Sequence, residues 1–475
     1  MSKSLAIAWF RQDLRIHDNP ALNAAAEYDR VLPVYILDDV NAGDWAMGGA
    51  SRAWLHRSLE SLNEALDGKL QVFAGDAREI MQRLVRELEV DAVLWNRCYE
   101  PWRIRRDKLI RQDLQDKGVE NHSFSGSLLW EPWTVSKQDG TPYRVFTPFY
   151  EKGCLRAESP RQPLGLVRPR AFYQPTVEFS KPLASLELLP RKLDWHASML
   201  EHWHVGEEGA QKRLQRFTED CLDDYRRSRD FPAVDATSKL SPHLHFGEVS
   251  PQQLWHRIGE ETAHRSSDGA AHFLREIGWR EFSYYLLYHF PELPERNFNS
   301  RFDGFDWLDD SDGLTTWQRG KTGFPIVDAG LRELWQTGYM HNRVRMIVAS
   351  FLIKNMLVDW RKGERWFWDC LVDADLASNS ASWQWCAGSG ADAAPYFRIF
   401  NPVLQSEKFD PEGEYLLRYC PELGGLPPKL RHQPWQADEA ELRRAGIKLG
   451  IDYPEPILDL KQTRERALAH YKELS

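Results

Sequence analysis

Short apolar runs alternate with stretches of helical spacing along the first 130 residues. Leu5–Phe10, Val31–Leu37, Leu70–Phe73 and Asp91–Asn96 are apolar runs of strand length, mostly bounded by Asp, Gly or Pro. Between them, Ser51–Leu66 sets Trp54, Leu55, Leu59, Leu62 and Leu66 three and four positions apart. Ala77–Leu88 and Arg103–Lys117 behave alike. Continuous apolar strands alternating with amphipathic helices predict an α/β, doubly wound parallel sheet. This domain is placed at residues 1–130. From 131 to 205 the periodicity fades under prolines from Pro132 to Pro190, which predicts an interdomain connection. From 206 to 475 helical spacing returns and strand signals nearly vanish, so the second domain is expected to be all-α.

Length and charge narrow the picture. A chain of 475 residues is too long for one hydrophobic core. No apolar run approaches a membrane span, and the N-terminal apolar stretch reads as a strand, not a signal peptide. The net charge is −9, so any nucleic-acid contact must use a local patch. The six cysteines show no C-x-x-C spacing, which argues against zinc and fits a reduced, cytoplasmic chain. After the first strand comes Arg11-Gln-Asp-Leu-Arg15, without the glycines of a dinucleotide fingerprint.

Four stretches carry candidate chemistry. Thr237-Ser-Lys-Leu-Ser-Pro242 reads either as a phosphate cradle or as a plain helix cap. Glu276, Trp279 and Arg280 share one helix face, as a reader of a flat polar ligand or as an ion pair beside a core indole. Leu331–Arg365, around Tyr339–Met346, carries a net +4 within an acidic protein, the local reversal that phosphate contact needs. Asp373–Trp385 packs two acids, an Asn and two Trp into thirteen positions. Its carboxylates suit hydrogen bonds from a heterocycle or an Arg partner better than a metal.

Taken together, these stretches resemble the photolyase/cryptochrome family, most closely a class I cyclobutane pyrimidine dimer photolyase. The matching segments are Trp9–Pro20, Thr237–Pro242, Trp279–Phe282, Lys321–Asp328, Met340–Met346, Asp373–Trp385 and Tyr396–Pro402. The resemblance implies FAD, active in its reduced form, in the all-helical domain. It assigns Tyr225, Thr237, Ser238, Lys239, Leu240 and Ser241 to the FAD phosphates and ribityl chain. Arg280, His341 and Asn342 are further cofactor residues. Arg345 is expected to pair with Asp373, Asp375 to accept from the flavin ring, and Asn379 to face its N5. An amide there tolerates the N5–H of reduced flavin, whereas a carboxylate or thiol would suggest a signalling cryptochrome.

The substrate expectation is DNA carrying cyclobutane pyrimidine dimers. Trp279 and Trp385 would wall a flipped dimer, Glu276 would hydrogen-bond it, and Asn342, Arg343 and Met346 would complete the rim and the phosphate contacts. Trp383, Trp360 and Trp307 match the family's electron-hopping chain. The reaction implied is light-driven one-electron splitting with no net redox change, that of a lyase. No metal, membrane or obligate protein partner is implied, and the chain is expected to be a monomer associated with the nucleoid. His341-Asn342 departs from the paired His of (6-4) photolyases. The antenna stays open: Tyr99–Arg105, with Trp102 and Arg103, lacks the folate-binding carboxylate, leaving methenyltetrahydrofolate, a deazaflavin or an empty site. The rival reading is a flavin photoreceptor that signals without repair. A metal-dependent transferase built on Asp373 and Asp375 is a third.

Overall fold

The structure, a computed structural model, describes residues 4–190, 192–264, 268–393 and 397–474. Tyr396 lies outside the described residues. The chain divides into two compact units. The first runs to Asp223 and takes in Ser238–Pro291, and the second comprises Asp224–Thr237 and the chain from Glu292 onward.

The first unit is built on a parallel sheet of five strands: β1 (Leu5–Phe10), β2 (Arg30–Leu37), β3 (Gln71–Ala74), β4 (Ala92–Asn96) and β5 (Glu120–Phe124), in the order β3-β2-β1-β4-β5. β1 is central, with Ala6 opposite both Val31 and Ala92. The crossovers carry α1 (Pro20–Ala25), α2 (Gly49–Ala65), α3 (Ala77–Leu88) and α4 (Pro101–Asp116). Helices on the crossovers bury the sheet, so β1, β2 and β4 read as unbroken apolar runs. Leu5, Ile7, Trp9, Leu32, Val34, Ile36 and Val93 form their common core.

Two elements lack an apolar signal. β5 (Glu-Asn-His-Ser-Phe) pairs only with β4 and is the polar edge of the sheet. α1 is six residues long, started by Asn19, which accepts from Leu22 N at 3.1 Å, with Pro20 at its first position. The loop after β1 is anchored by Arg15, whose guanidinium donates to the carbonyls of Asp18, Gly126 and Gly247. The proline-rich stretch also returns to the sheet: Val31 N donates to Ala171 O and Tyr173 N to Val31 O. It lies within the first unit, as does the helix Asp268–His289, called α5 here.

The second unit is helical. Its elements include α6 (Pro325–Thr337), α7 (Asn342–Ser350), α8 (Trp360–Cys370), α9 (Leu376–Ala387) and α10 (Leu460–Glu473). Ile326, Val348, Phe351, Leu352, Trp360 and Trp383 belong to one buried core. The Lys321–Asp328 stretch sets the start of α6: Asp328 accepts from Thr322 N at 2.6 Å, Gly323 N at 3.0 Å and the Tyr453 hydroxyl at 2.7 Å.

Candidate functional site

In the second unit, α7 and the α8–α9 pair bring together the largest group of expected site residues. Asp359 caps α8 by accepting from Arg361 N at 3.0 Å, and Asp375 caps α9 by accepting from Ser378 N at 2.8 Å. Capping puts Asp373 in the turn just before α9, on the approach to Arg345. Arg345 donates through one terminal nitrogen to both Asp373 oxygens, at 2.8 and 3.1 Å. Its Nε donates to Met340 O at 2.7 Å, and its guanidinium lies over the Tyr339 ring at 5.1 Å. Burial works against the Arg345 charge, but Asp373, Tyr339 and Glu333 together outweigh it and raise the pKa above the ordinary value. Burial pushes the Tyr339 hydroxyl up to about 12.

Asn379 lies one turn into α9 and is 8% exposed. Its amide nitrogen donates to Glu364 O at 3.0 Å, which leaves its side-chain oxygen without a partner among the described residues. Glu364 also accepts from the Ser380 hydroxyl, so α8 grips α9 at two adjacent residues. Burial raises the Glu364 carboxyl to about 8, with Ser380 opposing the shift.

The tryptophans differ in setting. Trp383 is buried with the edge of its indole on Gly363. Phe367 and Trp317 lie at 4.9 and 6.4 Å. Trp360 is fully buried and donates to the Asn297 oxygen at 3.0 Å. Trp307 is half-buried against Phe305 at 4.3 Å. Trp385 and Met346 line one small, open pocket with Ser350, Lys354, Cys386, Gly388, Arg398 and Phe400. Burial lowers the pKa of Lys354 to about 8.

The basic stretch 331–365 is not a free patch, because carboxylates from outside the α6–α7 sequence fold back onto it. Arg332 pairs with Glu422, Arg343 with Asp230, Arg345 with Asp373, Arg361 with Asp359 and Lys362 with Asp309. Arg343 also lies over Phe409 at 4.5 Å. His341 is buried and caps α7 by accepting from Arg343 N at 3.2 Å, while Asn342 is exposed. Tyr225 is buried under Arg229, at 5.3 Å, and the Thr237 hydroxyl bonds Tyr339.

The remaining expected residues belong to the first unit. Glu276, Trp279 and Arg280 all lie on α5. Glu276 is 3.9 Å from His272. Trp279 is stacked on Phe146, with ring centres 3.7 Å apart and planes 10° off parallel. Arg280 donates to Glu281 at 3.1 Å and lies over the Tyr284 ring at 4.7 Å. Glu281, to which the sequence reading assigns no role, accepts from Leu129 N at 2.8 Å, and burial raises its carboxyl to about 7. In the 238–241 turn, Leu240 N donates to the Ser238 hydroxyl at 3.3 Å. Lys239 adopts a φ of +51°, a conformation that L residues seldom hold. Leu240 is buried and Ser241 exposed.

Asn297, Asp303, Glu364 and Asp230 escaped the sequence reading. Asn297, Glu364 and Asp230 each meet a partner from another segment, Asp303 acts through Asn297, and no local spacing marks any of them. Among the described residues no group of three His, Cys, Asp or Glu side chains gathers as for a metal, and no helix is long and apolar enough to cross a membrane.

The donor set of the second unit fits a flavin: a paired guanidinium, a buried amide with an open acceptor, and the Thr237 hydroxyl. A family model described as the FAD binding domain of DNA photolyase matches residues 273–473, and one described as DNA photolyase matches 6–166. The deoxyribodipyrimidine photo-lyase of Agrobacterium fabrum is 50% identical, over 98% of this chain and 97% of its own. The chain belongs to the photolyase/cryptochrome family. Within that family, the deoxyribodipyrimidine photo-lyase of Escherichia coli is 38% identical over 98% of each chain. Cryptochrome-2 of Arabidopsis thaliana is 37% identical over 97% of this chain and 77% of its own. Among solved structures, a bacterial class III photolyase from Agrobacterium tumefaciens matches with a TM-score of 0.95 and 49% identity, over 100% of this chain and 98% of that one. The fold is therefore the family's, an α/β N-terminal region followed by a helical FAD-binding region. The likeness read from the motifs was to class I, and this solved relative is described as class III.

Proposed function

We propose that this protein repairs DNA by splitting cyclobutane pyrimidine dimers in light. The observation that carries the reading is Asn379. Its amide nitrogen donates to Glu364 O, which fixes the orientation of the amide and leaves its oxygen open to meet a cofactor. An acceptor there suits the protonated N5 of reduced flavin, and it separates this chain from a signalling cryptochrome bearing a carboxylate or thiol. Reduced FAD, when bound, supplies the photoexcited electron.

The other residues bind, orient and conduct. Arg345, held by Asp373, offers a fixed positive charge toward the flavin ring, and Asp375 an acceptor. Tyr225, Thr237, His341 and Asn342 on the second unit are assigned to the cofactor. So are Ser238, Lys239, Leu240, Ser241 and Arg280 on the first. Glu276 hydrogen-bonds the dimer and stabilises the negative charge that develops on it. Trp385 and Trp279 each offer an indole plane to a flipped pyrimidine, and photolyases flip their target base, as a general property of these enzymes. Met346 packs beside Trp385, and Arg343 exchanges Asp230 for a DNA phosphate. Trp307, Trp360 and Trp383 restore the reduced cofactor by passing an electron inward. A second, light-harvesting chromophore, methenyltetrahydrofolate or a deazaflavin, completes the holoprotein, which acts as a cytoplasmic monomer.

The test is binding. Base–aromatic stacking is worth about 1–3 kcal/mol per base, so Trp385→Ala weakens binding to a dimer-bearing oligonucleotide by roughly 5- to 150-fold. Binding to undamaged DNA stays as it was, and Trp385→Phe retains most of the preference. Undiminished discrimination in the Ala variant would contradict the substrate reading.

A further inference from the structure

The Trp360 indole is the most deliberately held of the three tryptophans. Its N–H donates to the Asn297 side-chain oxygen at 3.0 Å, and the Asn297 amide nitrogen donates to Asp303 Oδ1 at 2.8 Å. Asp303 thus fixes which end of the amide faces the indole. The loop that carries Asn297 is pinned from two sides. Gln384 donates to Leu293 O at 2.7 Å and Arg296 O at 2.8 Å, and accepts from Phe298 N at 2.7 Å. Arg361 donates to Glu295 O at 2.7 Å. Gln384 follows Trp383 in the chain, and Arg361 follows Trp360. The same Arg361 guanidinium lies over the Trp360 ring at 4.6 Å, balanced by Asp359 at 3.0 Å.

We infer that Asn297 is a positioning residue of the electron path, which keeps the Trp360 proton in place while Trp360 is oxidised. The inference rests on the proposed path through Trp383, Trp360 and Trp307. Light-excited oxidised flavin is the oxidant, and it gains the electron that Trp383 loses. One electron then leaves Trp360 for Trp383, and one arrives at Trp360 from Trp307. Trp360 ends as it began, with its N–H intact. Oxidation makes that N–H more acidic and strengthens its hydrogen bond, as charge does for any donor. The Arg361 cation over the ring adds to the pressure to lose the proton. A primary amide accepts the strengthened bond and is no base at neutral pH, so the proton stays and the positive hole moves on. A carboxylate in its place would take the proton and strand a neutral radical that oxidises Trp307 poorly. Buried indole N–H groups usually find an acceptor for stability alone, but stability does not depend on the basicity of that acceptor.

The experiment exchanges the two partners. Asn297→Asp with Asp303→Asn keeps a hydrogen bond between them and presents a carboxylate to Trp360. Ultraviolet resonance Raman of the dark protein reads the indole N–H bond. Flash photolysis of flavin-loaded protein in H2O and D2O reads whether the tryptophan radical keeps its proton. The expected result is an intact indole bond and unchanged flavin content. Proton loss at Trp360 becomes prompt and independent of buffer pH, with a solvent isotope effect, and the photoreduction yield falls at least tenfold. Parental radical protonation and yield in the exchanged protein would overturn the inference. Should the exchanged protein not retain flavin, Asn297→Ala removes the acceptor without adding charge. It is expected to slow photoreduction tenfold without an isotope effect, and a parental rate would overturn the inference equally. Trp360→Phe separates the two levels. If it leaves photoreduction intact, the path itself fails and the inference with it. If it abolishes photoreduction while the exchange is silent, only the role of Asn297 fails.

Discussion

Gly363→Ala puts one methyl group where the structure has no space for it. Gly363 lies in the first turn of α8 and faces Trp383 of α9. A Cβ built there falls 2.2 Å from Trp383 Cη2, 2.5 Å from Cζ3 and 2.7 Å from Leu352 Cδ2. Carbon atoms in contact sit about 3.5–4.0 Å apart, so the indole must retreat by more than about 1 Å. Phe367 at 4.9 Å and Trp317 at 6.4 Å close off that retreat. Overpacking of this kind costs about 1–3 kcal/mol. Alanine returns about 1 kcal/mol of helix propensity over glycine. The clash wins, because the obstructing atoms belong to a ring in a closed core and not to a flexible chain end. The expected net loss is up to about 2 kcal/mol, or roughly 2–4 °C of Tm for each kcal/mol in a unit of this size. Thermal melting followed by circular dichroism reads the stability. Photoreduction of the bound flavin reads the Trp383 position, and it is expected to slow. A variant with parental Tm and parental photoreduction would refute the packing argument.

Other perturbations follow from the same geometry. Asp373→Asn removes the negative charge that faces the part-buried Arg345 guanidinium, a loss below the roughly 3–5 kcal/mol of breaking a fully buried pair. It is expected to lower the Tm and the flavin absorbance per mole of protein, and full flavin content would argue against the pair as a flavin anchor. The Glu364 carboxyl is held protonated to about pH 8, against 4.5 when unfolded, chiefly by burial. Between those values the folded chain binds the proton and the unfolded chain does not, so this group's contribution to stability falls as pH rises through that window. Melting curves of Glu364→Gln should therefore gain on the parent toward pH 8, and parallel pH profiles would contradict the assignment. Glu276→Gln should lower the yield of dimer splitting severalfold with FAD content unchanged, and an unchanged yield would remove Glu276 from the substrate site.

The sheet was largely readable from the chain because parallel strands buried on both faces leave unbroken apolar runs, as in β1, β2 and β4. β5 was not, since an edge strand pairs on one side only and Glu120–Phe124 has no apolar signal. α1 carried a usable signal in Asn19-Pro20 but is too short for periodicity. In the site, Asp373, Asn379 and Arg345 lie in dense local motifs, and the Arg345–Asp373 pair forms as the motif implied. The charge count over 331–365 misled for a physical reason. Counting along the chain omits Asp230, Asp309, Asp373 and Glu422, which neutralise that stretch in space. It also counts Glu364, which burial holds protonated below about pH 8. Asn297 was invisible for the same cause, since a hydrogen bond across 63 positions of sequence leaves no periodic trace, and Asp303 has meaning only through Asn297.

Blue-light repair of an oligonucleotide carrying a single thymine cyclobutane dimer tests the central claim most directly. The protein is reduced beforehand, a dark sample is the control, and the recovery of thymine absorbance is followed. The account predicts recovery in the light alone, with more than one dimer split per protein molecule and the protein unchanged afterward. No recovery from protein that holds reduced flavin would contradict it and place the chain with the cryptochromes that signal without repair.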